Sequence, residues 1–260
     1  MKILVYGTTY CASPARLRLL EQWAEALERI APDADHLIVD SQSPVFDLAR
    51  LPFLSRFAPA VTLPAQTAPV AVGRRTTLTF PDNIGHLLHG GRDGWGRAFC
   101  QGLICAMANG YDYVVHVEGD LLTRLDLPGL CREMRDGGIH ALGPVTPNKG
   151  WLDTGLVLFD VAFLRRSDFV GRYDWARRPA QPYPEVVLGE LLGDDLQLRL
   201  WRGAKAGIAL LQYFVKDLHW ITQSTRPDEY DGFMREGEWP MRGIGAAVAQ
   251  VLLPAAPVPA

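Results

Sequence analysis

Residues 111–123 constrain this chain more than any other stretch. Val114, Val115 and Val117 form a β-branched run between Gly110 and Gly119, the pattern of a buried strand. That strand ends in two carboxylates, Glu118 and Asp120, with a single glycine between them. Two acids at the mouth of an apolar strand repel each other and lose solvation unless positive charge sits between them. A divalent cation carrying a diphosphate meets that need. Mg²⁺ and Mn²⁺ prefer carboxylate oxygen, and they take one or two protein carboxylates together with substrate phosphates. Gly119 is expected to let the backbone come close to that ligand. The plainer alternative is an acidic turn closing a strand.

Around this strand, extended and helical patterns alternate. Residues 2–6 read as a strand, and Ser13-Pro14 caps a helix running to about residue 30, with Leu17, Leu20, Trp23, Ala24 and Leu27 on one face. Residues 36–40 form a second strand that also ends in an acid, Asp40. Six prolines between 44 and 81 predict an irregular excursion with one short helix and a strand near 76–79. The glycine-rich stretch 82–96 reads as loop, followed by a helix over 97–109 closed by Gly110. Beyond residue 123 the pattern predicts a helix near 127–136, strands at 141–142 and 155–159, a helix around 185–202 and a strand at 209–214. Such alternation predicts a doubly wound α/β layout with a mostly parallel sheet. Ligands bind such sheets at the C-terminal ends of strands, where Thr8, Asp40 and the Glu118/Asp120 pair all fall.

Composition narrows the class further. Hydrophobic residues make up 48% of the 260, enough for a large core. The 26 Lys and Arg against 29 Asp and Glu leave a net charge of −3, with arginines scattered along the chain. That balance is no footprint for nucleic acid or for a polybasic membrane patch. No apolar stretch is long enough to span a bilayer, and the N-terminal run is too short for a signal peptide. Cys11, Cys100, Cys105 and Cys131 match neither a CxxC pair nor a zinc spacing and read as free thiols. A cytoplasmic protein is expected. The organisation expected is one domain over 1–252, with a nucleotide-binding half to about 123, an acceptor half beyond it, and a flexible Ala/Pro-rich tail at 253–260.

In the order of its motifs, over roughly residues 2–222, the chain resembles the GT-A glycosyltransferases. The stretch ending in Glu118-Gly119-Asp120 is similar to that family's strand and DXD motif, with Glu in the first position. Asp82-Asn83-Ile84-Gly85 resembles the family's Asn-x-Gly segment, and Asp153-Thr154-Gly155 its acceptor-side strand. Gly193-Asp194-Asp195-Leu196 and the residues to Gly203 resemble the Glu-Asp-x-Asp-Leu helix of the inverting enzymes. Lys216 to Trp220 resembles the C-terminal segment whose histidine helps bind metal. The resemblance implies a GT-A-like three-layer α/β/α fold with a mostly parallel, Rossmann-like sheet. It implies transfer of a sugar from a nucleoside-diphosphate sugar, UDP favoured and GDP the other option, to a hydroxyl of a glycan or other acceptor. Inversion at the sugar carbon and a place in polysaccharide biosynthesis are the expected outcomes.

On that resemblance, Asp120, Glu118 and His219 would hold Mn²⁺ or Mg²⁺, and Asp194 or Asp195 would be the general base. In this chain Leu192-Gly193 stands opposite the family's Glu-Asp pair, so Glu185 and Glu190 stay open as alternatives for the base. Thr8, Thr9 and Tyr10 offer hydroxyls and a ring to the nucleoside, and Asp40 an acceptor for a base N–H or ribose. Asn83, Arg92 and Arg97 are candidate base or phosphate contacts. Trp95, Trp151 and Trp220 are candidate sugar platforms, each with an ordinary core reading beside it. His116, alternating within its strand, is expected to be a packed, hydrogen-bonded histidine. Two other functions fit the same layered fold: a sugar nucleotidyltransferase, and a catalytically degenerate domain that only binds.

Overall fold

The computed structural model describes residues 1–85, 91–143, 154–177, 184–193, 221–223, 227–235 and 239–240. Strand β1 (Ile3–Thr9) lies at the centre of a seven-stranded sheet, and its residues 3–8 are buried. On one side it pairs in parallel with β2 (Asp35–Asp40), which pairs with β4 (Arg75–Thr79), and that with the two-residue β3 (Val61–Thr62). On the other side β1 pairs in parallel with β5 (Tyr113–Val117). Beyond β5 the direction reverses: β8 (Leu156–Asp160) and β7 (Ala141–Leu142) are antiparallel. The strand order β3-β4-β2-β1-β5-β8-β7 is therefore mostly parallel with an antiparallel edge.

Helices cover both faces. Helix α1 (Pro14–Ile30) starts where the spacing predicts, with the Ser13 hydroxyl accepting from the Arg16 backbone N–H at 3.4 Å. Its apolar stripe buries Leu17, Leu20, Trp23, Ala24 and Leu27. Trp23 comes so close to β1 that a Cβ on Gly7 would lie 2.6 Å from its ring, so glycine is required by contact there. Helix α2 (Gly94–Ala108) lies on the opposite face, under Tyr6, whose hydroxyl donates to the Phe99 carbonyl at 2.9 Å. Alternation of Tyr6 and Gly7 along one strand thus seats two helices on two faces. The described helices and sheet form three layers.

Helix α2 begins three residues before the expected Arg97. Asp93 accepts from the Gly96 N–H at 2.7 Å and so caps a turn made of glycine and tryptophan, residues whose composition reads as loop. The proline-rich excursion holds two single-turn 3₁₀ helices, Leu48–Arg50 and Leu54–Arg56, besides β3 and β4. After β5 the chain forms β6 (Leu121–Thr123), then α3 (Leu127–Gly137). Following β8 come α4 (Val161–Arg166), α5 (Phe169–Tyr173) and α6 (Pro184–Gly193). The expected extension of α6 to 202 and the strand at 209–214 lie outside the described residues. Strand β6 pairs with β9 (Ile221–Gln223) in a separate antiparallel ribbon, a pairing across about a hundred positions that no local pattern signals. Helix α7 (Pro227–Arg235) then packs against α1. All four cysteines are buried free thiols. Among the described residues no helix is long and apolar enough to cross a membrane.

Candidate active site

Connections leave β1 toward β2 on one side, while β5 returns on the other, so the strand order reverses between β1 and β5. Sheets of this kind open a crevice at the carboxyl ends of the strands flanking such a reversal. A cleft of about 570 Å³ lies at that place, lined by Thr8, Thr9 and Tyr10 from the end of β1 and by Glu118, Gly119 and Asp120 from the end of β5. Arg16 of α1, Asn83, and Trp95 of α2 complete its walls.

The acidic tip is anchored by backbone. Glu118 donates its N–H to the Gly155 carbonyl at 2.8 Å, and Gly119 donates to the Thr8 carbonyl at 3.1 Å. A Cβ on Gly119 would lie 2.9 Å from that same carbonyl oxygen and 3.2 Å from Thr9 Cβ. Gly119 therefore serves close packing of β5's end on β1's end, and it also lines the cleft. The Tyr230 hydroxyl of α7 donates to the Asp120 carbonyl and ties the tip from beneath. Asp120 Oδ2 accepts from Arg16 Nη1 at 2.7 Å, across 104 positions of sequence. Arg16 is the one basic side chain among the described residues lining the cleft, and in the sequence it is one of the arginines scattered along the chain. Its place two residues after the Ser13-Pro14 cap, opposite the strand-end acids, was the available signal.

Thr8, Thr9, Tyr10, Asn83, Glu118 and Asp120 thus come together. Tyr10 stands at the lip, 45% exposed, with its ring open for stacking. Asn83 is shaped by its neighbours: its side-chain oxygen accepts from Gly85 N–H at 2.9 Å, and its own N–H donates to Gln42. Trp95 stacks on Phe99 at 4.6 Å between centroids, and its buried indole N–H has no hydrogen-bond partner among the described residues.

Two expected contacts sit elsewhere. Asp40 is 1% exposed and accepts from the Ser43 N–H at 3.0 Å, the Ser43 hydroxyl and the Thr79 hydroxyl at 2.8 Å. Its carboxylate fastens the end of β2 to β4 and to the following turn, because a buried acid must collect donors. Arg97, also 1% exposed, turns to Asp82 Oδ1 at 2.7 Å and the Ala65 carbonyl at 3.2 Å, with its guanidinium 4.0 Å over the Phe80 ring. It pins the 65–82 excursion onto α2. Neither lines the cleft.

His116 is buried as expected. Its Nδ1 donates to the Thr154 carbonyl at 2.9 Å, which leaves Nε2 as acceptor for the Thr8 hydroxyl at 3.3 Å. Loss of solvation on burial drives its pKa down to about 3, partly offset by the bond to Thr154. The Thr154 hydroxyl donates in turn to Glu185 Oε1 at 3.1 Å, which sets α6 beside the turn that leads into β8.

Glu118 and Asp120 supply hard carboxylate oxygen to the cleft lining, a donor set that suits Mg²⁺ or Mn²⁺ shared with phosphate. Among the described residues no three His, Cys, Asp or Glu side chains converge as a complete metal cage. His219, Asp194 and Asp195 lie outside the described residues, as do Trp151 and Trp220.

No protein-family model matches the chain, and no curated protein matches it. Solved structures similar to it include the glycosyltransferase GlyE, the galactosyltransferase LgtC, and TarS. The apo-form glycosyltransferase GlyE of Streptococcus pneumoniae TIGR4 is 13% identical with a TM-score of 0.49, over 96% of this chain and 62% of that one. An active-site mutant of LgtC is 15% identical with a TM-score of 0.44, over 74% and 70%. Staphylococcus aureus TarS 1-349, in complex with UDP-GlcNAc, is 13% identical with a TM-score of 0.40, over 65% and 48%. The chain thus spans from about half to seven tenths of these proteins.

Proposed function

We propose that this chain is a metal-dependent glycosyltransferase. It moves a sugar from a nucleoside-diphosphate donor, UDP-sugar favoured, to a hydroxyl of a glycan or other acceptor, with inversion. One observation carries this reading: an anchored pair of carboxylates, Glu118 and Asp120, opens into a cleft at the strand reversal, directly beside the hydroxyls and ring of Thr8, Thr9 and Tyr10. That placement suits a ligand with a flat base at one end and a polyanion at the other.

In this reading the Tyr10 ring stacks on the base, and Asn83 and Thr9 offer polar contacts to the nucleoside. Asp120, Glu118 and His219 hold the Mn²⁺ or Mg²⁺. The ion, when bound, acts as a Lewis acid that offsets charge developing on the leaving diphosphate. Trp95, in the cleft wall, is a platform for the sugar. Asp194 or Asp195 takes the proton from the acceptor hydroxyl as the glycosidic bond forms, with Glu185 or Glu190 of α6 as the alternative.

Titration calorimetry with UDP, GDP and CMP, with and without Mn²⁺, followed by donor-hydrolysis assays on nucleotide sugars, tests the proposal. Metal-dependent binding of a nucleoside diphosphate together with donor turnover supports it. Binding of triphosphates alone would point to a nucleotidyltransferase. Diphosphate binding with no turnover of any donor or acceptor would make the domain a binding module.

A further inference from the structure

Arg16 stands where a helix least favours it. The first turn of α1 carries the positive end of the helix dipole and contains no acidic residue, so a guanidinium there is electrostatically opposed. Its ion pair with Asp120 gives little in return: both side chains are partly exposed, at 35% and 26%, where such pairs contribute about 0–1 kcal/mol. Stability therefore explains Arg16 poorly. Its position in the cleft explains it better, because the pair joins the one described basic group of the lining to the carboxylate expected to hold the cation. The two partners also differ in freedom. Asp120 is held through its carbonyl by Tyr230, whereas Arg16 reaches it on a long, rotatable stem.

The geometry points to an exchange at Asp120, which rests on the glycosyltransferase reading and deepens it: Arg16 and the cation compete for the Asp120 carboxylate, and the displaced guanidinium becomes the second counter-charge of the diphosphate. A cation on Asp120 repels the guanidinium, whose planar fork of donors matches phosphate oxygens. A diphosphate that draws Arg16 away frees the carboxylate for the cation. Linkage makes the effect reciprocal, so cation and nucleotide each raise the other's affinity, and the cation alone binds weakly.

The test measures binding, not turnover. Mn²⁺ alone is titrated into wild type and Arg16→Gln, monitored by the electron paramagnetic resonance of free Mn²⁺, and UDP is titrated calorimetrically at saturating Mn²⁺. Arg16→Gln is expected to bind Mn²⁺ alone more tightly and UDP more weakly, each by about tenfold, the scale of one charge-assisted hydrogen bond. Arg16→Lys keeps the charge without the fork and is expected to fall between the two. A merely structural role would weaken both ligands together or neither. Wild type that binds UDP with Mn²⁺, with Arg16→Gln shifting neither ligand or both in one direction, overturns the exchange alone. Wild type that binds no nucleoside diphosphate at any Mn²⁺ concentration overturns the functional reading on which the exchange stands.

Discussion

Trp23 donates its indole N–H to the carbonyl of Val117 at 3.1 Å, so a helix from the start of the chain holds the strand that ends in the acidic tip. Its ring occupies the space that a side chain at position 7 would need. Gly7→Ala is expected to destabilise the fold by about 1–3 kcal/mol, the usual range for overpacking a dense core. Trp23→Phe relieves the ring contact and leaves the Val117 carbonyl oxygen 2.8 Å from the same Cβ position, so the double variant should lose somewhat less than the two single losses added together. Chemical denaturation of the four proteins gives the cycle; strict additivity would show that Gly7 and Trp23 do not share this contact.

Asp120→Asn separates chemistry from stability. Because the pair with Arg16 is partly exposed, the folded state should lose no more than about 1 kcal/mol. Metal-dependent donor turnover should vanish, since the amide is a poor ligand for a hard cation. Activity assays beside thermal melts decide the matter, and wild-type turnover in this variant would remove Asp120 from the metal site.

Arg97→Ala should do the reverse. The side chain fills buried space over Phe80 and beside Trp175, and its partner Asp82 is half exposed and can rehydrate. The loss is therefore one of packing and hydrogen bonds, on the order of 2 kcal/mol or more. Thermal stability should fall while UDP affinity, measured well below the transition, stays near wild type. An unchanged melting temperature with a selective loss of UDP binding would restore Arg97 as a ligand contact.

His116 makes the fold acid-sensitive. Its folded-state pKa, near 3, lies below the ordinary value of 6.5, so between those values the unfolded chain binds the extra proton. Stability is then fully present above about pH 6.5 and falls as pH drops toward 3, by up to roughly 1.4 kcal/mol per pH unit from this group. Burial displaces His36 in the same direction, so the wild-type slope contains both groups. His116→Gln, which keeps an acceptor and a donor, should flatten the decline between pH 6.5 and about 4.5. Parallel slopes for variant and wild type would show that His116 does not titrate on unfolding in that range.

Much of the fold is legible from local pattern, because helix and strand periodicities and caps are written within a few residues. Ser13-Pro14 marks the start of α1, and the valine run with Gly110 marks β5, each within a residue or two of its observed bounds. Asp93 shows the limit of that reading: its capping bond converts a glycine-rich loop pattern into the first turn of α2. The cleft was legible in part, since Thr8, Thr9, Tyr10, Glu118 and Asp120 end strands whose carboxyl edges must converge in a parallel sheet. Asp40 ends a strand in the same way, yet Ser43 and Thr79 take its carboxylate inward, and composition carries no sign of which acid will be enclosed.

Sequence alone determined where α1 and strands β1, β2 and β5 fall, and that two acids crown an apolar strand, because those properties follow from backbone geometry and side-chain alternation over short range. Only the tertiary structure decided that Arg16 meets Asp120, that Arg97 and Asp40 turn away from the cleft, and that Gly119 packs on Thr8. These are contacts between residues tens of positions apart. Their outcome depends on which donors, acceptors and volumes the packed sheet and helices bring within a few ångströms, a condition the folded chain alone meets.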